Sequence, residues 1–413
     1  MSLVLETLFI RELELGRSAG FDDGRLVVDA EALCQQLTSS IEAVQQVTLH
    51  RALRGESTRI YCCKDVVQPS LKLSGERPGR GRRRLLSNLA VVTCGPIVGF
   101  QEGIIDMTGP GADYTPFSRM PLLVVEARVA DGISPHEHEA ALREAGLMAA
   151  QALCRICAGA TPERSETVEW NEHPVDPGLP RIAYLCMVLS QGLLHDTWVM
   201  GRNAREGLPL VLDPRVICDE GILSGNCVSA CDKNTSYHHR NNPVVAELLA
   251  GHGSRWNFVG AVVTNQPIRL ADKEGSACVA VELVEGLYAQ GVVVTKEGFG
   301  NPDSDFMMIL RRLTGAGIQC VGITDEFAGS DGGSQSLADS TPEADAIVST
   351  GNANARVLLP PLARAIGNAP DVERLAGGYP GSLRQDGGLE VELQAIMGAT
   401  NELGFGTLSA REV

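Results

Sequence analysis

The stretch GILSGNCVSACDKNTSYHHRNNP, Gly221 to Pro243, crowds two cysteines, two adjacent histidines, an Asp-Lys pair and four asparagines into one turn-rich segment. A thiol that directly follows a flexible Gly-Asn can reach the carbonyl before it. Cys227 can therefore convert the Asn226–Cys227 amide into a thioester by N-to-S acyl shift. Two outcomes are open from the residues alone. Loss of the sulfur by β-elimination leaves dehydroalanine, which hydrolyses to an N-terminal pyruvoyl group; cyclisation of Asn226 leaves an ordinary N-terminal cysteine. Either route needs a general base and an oxyanion stabiliser, and His238, His239, Lys233 and local backbone amides are the candidates. Cys231 lies four residues beyond Cys227 and does not follow Asn226, so it is assigned a supporting role, with Asp232 and Lys233 as a charge pair orienting the loop. A buried cysteine pair in a polar loop, with no chemistry, accounts for the same letters.

The elements that must hold this segment differ on its two sides. Upstream, short strand-like runs at Leu3–Ile10, Arg25–Val28, Ser57–Cys62 and Leu89–Cys94 end at Gly, Asp or Pro. A helix is expected from Pro135 to Cys157, and the acidic, Pro-rich residues 161–180 read as a linker. Downstream, NFVGAVVTN, GVVVTKEGFGNPD, IQCVGITDEFAG and DAIVSTGNAN each place a buried-type strand before a polar turn, with helical runs at Ala277–Gln290 and Asp303–Gly315 between them. The pattern predicts an α/β chain: a strand-rich α+β N-terminal region over 1–160, then a mostly parallel, doubly wound C-terminal sheet. The segment 181–226 would lead to the cleavage site and 227–413 would form the second fragment. Ligands gather at the carboxyl ends of such strands, so Asn265, Glu297, Asn301, Asp303, Asp325, Glu326, Asp331, Asn352 and Asn354 are expected on one rim.

Other motifs are weaker. Cys154 and Cys157 have the spacing of half a zinc site, but no second such pair completes it, and both fall on an apolar helical pattern; they read as buried small side chains, and no metal is expected. GERPGRGRRR, Gly75 to Arg84, reads as a solvated hairpin tip, with a docking patch for an acidic partner as the alternative. The chain has 413 residues, 35 basic against 51 acidic, a net charge of −16 that disfavours nucleic acid and anionic membrane as partners. No apolar run approaches the roughly 20 residues of a membrane helix, and the opening MSLVLETLFIRELELG carries too many charges for a signal peptide. A cytoplasmic protein with reduced cysteines is expected.

The segment GNCVSACDKNTSYHHRNNP resembles the processing segment of the glycine/sarcosine/betaine reductase component B proproteins, and that of the related D-proline reductase proprotein. TRIYCCKDVVQP (Thr58–Pro69), GPIVGFQEGIIDMTGPGADYTPFS (Gly95–Ser118), QGLLHDT (Gln191–Thr197), EGFGNPDSD (Glu297–Asp305) and DEFAGSDGGSQSLAD (Asp325–Asp339) look like blocks of the same family in order, covering nearly the whole chain. The resemblance implies cleavage between Asn226 and Cys227, with Cys227 becoming the pyruvoyl cofactor that receives a small substrate amine for reductive C–N cleavage. It also implies partners: a selenoprotein reductase subunit of gamma type and a selenoprotein A-type carrier, in an oligomeric complex. The alternatives are a D-proline reductase-type subunit and an uncleaved scaffold of the same fold.

Overall fold

The computed structural model describes residues 2–98, 102–191, 197–225, 229–344 and 346–403. Its N-terminal part is built on mixed sheets. One has the order Gly103–Asp106, Thr58–Val67, Ala90–Cys94, Leu122–Val129, Val44–Ala52. A second sets Leu3–Phe9 beside Gly81–Ser87 in parallel. The long helix Pro135–Ile156 covers the first sheet, its Leu142, Ala145, Ala149 and Leu153 packing with Val67, Val91, Leu123 and Val125. Ser134 and Glu137 form a capping box at its start, with Pro135 in the first turn. Gly146 lets the helix approach closely, since a Cβ there would sit 2.7 Å from Thr93 Cγ2. Cys154 and Cys157 are buried in this packing, as expected of small hydrophobic side chains.

The C-terminal sheet has the order Leu210–Leu212, Asn257–Thr264, Arg181–Met187, Gly291–Lys296, Gln319–Glu326, Ala346–Asn352. All neighbours are parallel except the edge strand Leu210–Leu212. Numbered along the chain, the five parallel strands run 2-1-3-4-5. Both faces are covered, which makes the sheet doubly wound. Ala183, Leu185 and Met187 pack towards helices Leu270–Gly286 and Asn301–Gly315. Tyr184, Cys186 and Val188 pack towards helix Pro243–Gly251. The first of these helices begins seven residues before the expected start at Ala277, because Gly275 is tolerated within it.

Two expectations need correction. Residues 161–180 are not simply a linker: Arg164–Val168 is a strand, antiparallel to Leu3–Phe9. The arginines ending GERPGRGRRR are not a docking patch either. Arg83 is buried against Asp219, Nε to Oδ1 2.6 Å, and against Glu220, while Arg84 is buried against Glu6 at 3.0 Å. Residues 73–78, Arg80 and Arg82 are exposed, which leaves the rest of the segment as the solvated hairpin tip expected.

The parts of the chain on either side of the Asn226–Cys227 bond are interwoven. Arg181–Met187, upstream, is flanked on both sides by downstream strands. Arg364–Ile366, downstream, extends the N-terminal sheet beside Thr58–Val67, and Ile104 bridges to Ile396.

Candidate active site

The strand order reverses between Arg181–Met187 and Gly291–Lys296, and the carboxyl ends of those strands open the crevice where ligands of such sheets sit. Lys296 ends the second strand. It is fully buried and donates to Asp303 Oδ1 at 2.5 Å; Asp303 Oδ2 accepts from the Gly300 and Ala338 amides at 3.2 and 2.8 Å. The next residue, Glu297, accepts from the Leu189 amide on Oε2 at 2.6 Å, and its Oε1 lies 3.1 Å from His239 Nε2. Neither ring nitrogen of His239 makes a hydrogen bond among the described residues. A buried imidazole 3.1 Å from a carboxylate, with a ring nitrogen free to take a proton, is the arrangement a general base requires.

The reactive segment is laid across this rim and tied down by the end of the chain. The Gly398 amide donates to the Ala230 carbonyl at 2.7 Å, the Thr400 amide to the Cys231 carbonyl at 3.1 Å, and Asn401 Nδ2 to the Lys233 carbonyl at 3.2 Å. Upstream, the Ser224 amide donates to Ser236 Oγ at 3.1 Å, and Ser236 Oγ donates to Asp65 Oδ2 at 2.7 Å, which fixes the segment against the N-terminal sheet.

Asn226 and Cys227 lie outside the described residues. Gly225 and Ser229, which bracket them, are both buried. Cys231 is buried with its Sγ 3.8 Å from Asp325 Oδ2; burial, with Asp232 and Asp325 beside it, pushes the thiol well above its usual range, so it is held as a protonated thiol. Asp232 accepts from Ser229 Oγ at 2.7 Å, and burial pushes its carboxyl up to about 6. The expected Asp232–Lys233 pair is not among the ion pairs of the described residues, because Lys233 Nζ reaches away to the Lys64 carbonyl. His238 belongs to the scaffold of the site. It closes a capping box with Thr235, its ring centroid is 5.0 Å from that of Phe117, and a Cβ on Gly398 would come within 2.9 Å of its Cε1. Burial, then the neighbouring His239, lower its pKa to about 3, so it is neutral.

Of the rim residues expected from sequence, Glu297, Asp303 and Asp325 are buried at this site, and Asn301 donates to Gln191 at 2.6 Å. Lys296, Thr400 and Glu402 were missed. Lys296 carried a faint signal, as the last residue of an apolar run; Thr400 and Glu402 carried none.

The family model for glycine/sarcosine/betaine reductase component B subunits matches residues 1–411. The glycine reductase complex component B subunits alpha and beta of Acetoanaerobium sticklandii are 44% identical over 429 aligned positions, covering 100% of both chains. The sarcosine reductase complex component B subunit alpha of Peptoclostridium acidaminophilum is 41% identical, again over 100% of each chain. The D-proline reductase proprotein PrdA of A. sticklandii is 27% identical over 159 positions, 36% of this chain and 25% of that one. No solved structure matches this chain.

Proposed function

Because the chain belongs to the family of glycine/sarcosine/betaine reductase component B subunits, we propose that it cleaves itself between Asn226 and Cys227. In this reading Cys227 becomes a pyruvoyl group, and the product serves as the substrate-binding part of an amino acid reductase. The observation that carries the reading is the rim itself. The buried residues that bracket Asn226–Val228 lie in a segment bonded to the helix of His239, whose Nε2 faces Glu297 and whose Nδ1 is uncommitted. His239 is assigned the proton of the Cys227 thiol, with Glu297 as its positioning residue. A relative that aligns over its full length and is named for two subunits, alpha and beta, supports a chain that becomes two. A shorter likeness to a chain named as a proprotein supports processing.

The pyruvoyl carbonyl supplies an electrophile for a primary or secondary amine, and hence for glycine or sarcosine but not for a quaternary nitrogen. The residues around it fit that group: a buried, segment-spanning cradle with a protonated thiol at Cys231 and a neutral His238 holding the backbone in place. Cys231 and Asp232 act here by position. The sequence contains no selenocysteine, so the reducing selenolate is assigned to a partner selenoprotein of gamma type, with an A-type carrier receiving the product.

Denaturing electrophoresis tests the reading. The 43.9 kDa chain should yield fragments of about 24 and about 20 kDa, in the proportion 226 to 187 of 413 residues. Under native conditions the two should elute together, since each fragment supplies strands to the other's sheet. Cys227→Ala should give one full-length band, and His239→Gln should slow cleavage about 10²–10⁴-fold. The smaller fragment should be blocked to Edman degradation until o-phenylenediamine treatment. An unblocked N-terminal cysteine would replace elimination by asparagine cyclisation, and cleavage of Cys227→Ala at the same bond would overturn the nucleophile.

A further inference from the structure

Asp232, Asp325 and Glu402 come from three separate parts of the chain: the reactive segment, the carboxyl end of Gln319–Glu326, and the C-terminal strap. Each is at most 1% exposed, and one oxygen from each lies within 4.8 Å of the others. Asp232 Oδ1 accepts from Ser229 and Asp325 Oδ2 from Thr400 at 2.9 Å, which leaves Asp232 Oδ2 and Asp325 Oδ1 turned to no donor. Glu402 is the independent observation. It is fully buried, neither of its oxygens has a hydrogen-bond partner among the described residues, and its carboxylate is directed at the aspartate pair.

No ion pair among the described residues neutralises any of the three. Lys296 acts on all of them through space, but its ammonium is bonded to Asp303. Like charges this close and this dry are not tolerated without a counter-charge. Protons can supply it in the empty site, and a cation that displaces them supplies it in the filled one. The donors of the site are all hard oxygens.

We propose that Asp232, Asp325 and Glu402 bind one hard divalent cation of the size of Ca²⁺. Ca²⁺ accepts several carboxylates in flexible geometry, whereas Mg²⁺ demands near-ideal octahedral geometry and usually keeps waters beside one or two carboxylates, so three buried carboxylates favour Ca²⁺. Thiolate- or imidazole-seeking metals are disfavoured by the donor set, because Cys231 is held as a thiol 3.8 Å from Asp325. The cation would lock the C-terminal strap onto the reactive segment. The inference does not depend on cleavage at Cys227.

The test is equilibrium dialysis of the full-length protein, first stripped with EDTA, against radioactive Ca²⁺ with Mg²⁺ as competitor. Wild type and Cys227→Ala should each bind one Ca²⁺ per chain, with Mg²⁺ competing poorly. Glu402→Gln should weaken binding at least about tenfold, while the exposed Asp331→Asn should leave it unchanged. Failure of wild type to bind Ca²⁺ at millimolar concentration overturns the site, whatever the variants do. Unchanged binding in both Glu402→Gln and Asp325→Asn also overturns it. Because Cys227→Ala is assayed alongside, loss of self-cleavage and loss of the cation are read separately.

Discussion

Two regions of the molecule bury charge, and they do it in opposite ways. In the N-terminal sheets charge is matched. Arg59 holds Asp106 through two parallel bonds of 2.5 and 2.7 Å with both residues 1% exposed, and Arg84 and Arg82 converge on Glu6. At the carboxyl rim of the parallel sheet charge is left unmatched: four carboxylate oxygens and both ring nitrogens of His239 make no hydrogen bond among the described residues. A matched pair of this kind fixes how strands pack: Arg59 Nη1 and Arg84 Nε make no hydrogen bond among the described residues, but each guanidinium is neutralised by its carboxylate. Unmatched groups on a rigid rim are held ready for something that arrives later, whether a reacting bond, a substrate or an ion. Both regions rest on clusters of fully buried apolar side chains, so the contrast lies in the charged groups.

The contrast breaks most visibly at Arg59. Arg59→Met keeps the volume and removes the partner of Asp106, leaving a buried carboxylate alone. A loss of about 3–5 kcal/mol is expected in urea denaturation. At the rim the same kind of change should do little. In EDTA, burial and the two aspartates hold the Glu402 carboxyl well above its usual range, so Glu402→Gln abandons no ion pair and stability should stay within about 1 kcal/mol of wild type or rise. A loss at Glu402 as large as that at Arg59 would mean that the rim is architecture after all.

The sequence makes one of these regions far more legible than the other. The rim shows through because strand, Gly- or Asn-containing turn and helix are local patterns: Glu297, Asp303 and Asp325 follow directly from where apolar runs end. What escapes is what arrives from elsewhere. The strand order could not be read, since its central member, Arg181–Met187, precedes the reactive segment while its neighbours follow it. Glu402 joins the site because the chain returns there, and NELGFG carries no periodicity to announce that. Lys296 looks like an exposed lysine until Asp303, one turn into the next helix, receives it. The arginines of the 75–84 loop misled for the same reason. Asp219 and Glu220, which bury Arg83, lie well over a hundred residues away, and a run of basic letters holds no trace of them.

The smallest effect separates the regions by pH. In the N-terminal part, burial raises the Glu6 carboxyl but Arg82 and Arg84 outweigh it and hold the pKa below 4.5, so this contribution stays intact until the pH falls into the acid range. At the rim, His238 responds earlier. Its folded pKa of about 3 lies below the usual 6.5, because burial and the neighbouring His239 disfavour its charge, against a weaker opposing pull from the Lys233 carbonyl. Between those values the unfolded chain binds the extra proton, so the stability supplied by neutral His238 is complete above 6.5 and declines as the pH falls. The decline is at most about 1.4 kcal/mol per pH unit. Asp232, with its carboxyl raised to about 6, works the opposite way over part of the same window and flattens the total. The difference between wild type and His238→Asn isolates the histidine. His238→Asn should be less stable at pH 7.5, and the gap should narrow steadily from pH 6.5 to 5 in urea titrations at each pH. A gap that holds constant over that range would show that His238 is charged in the folded protein, and with it that the rim meets acid no sooner than the matched sheets do.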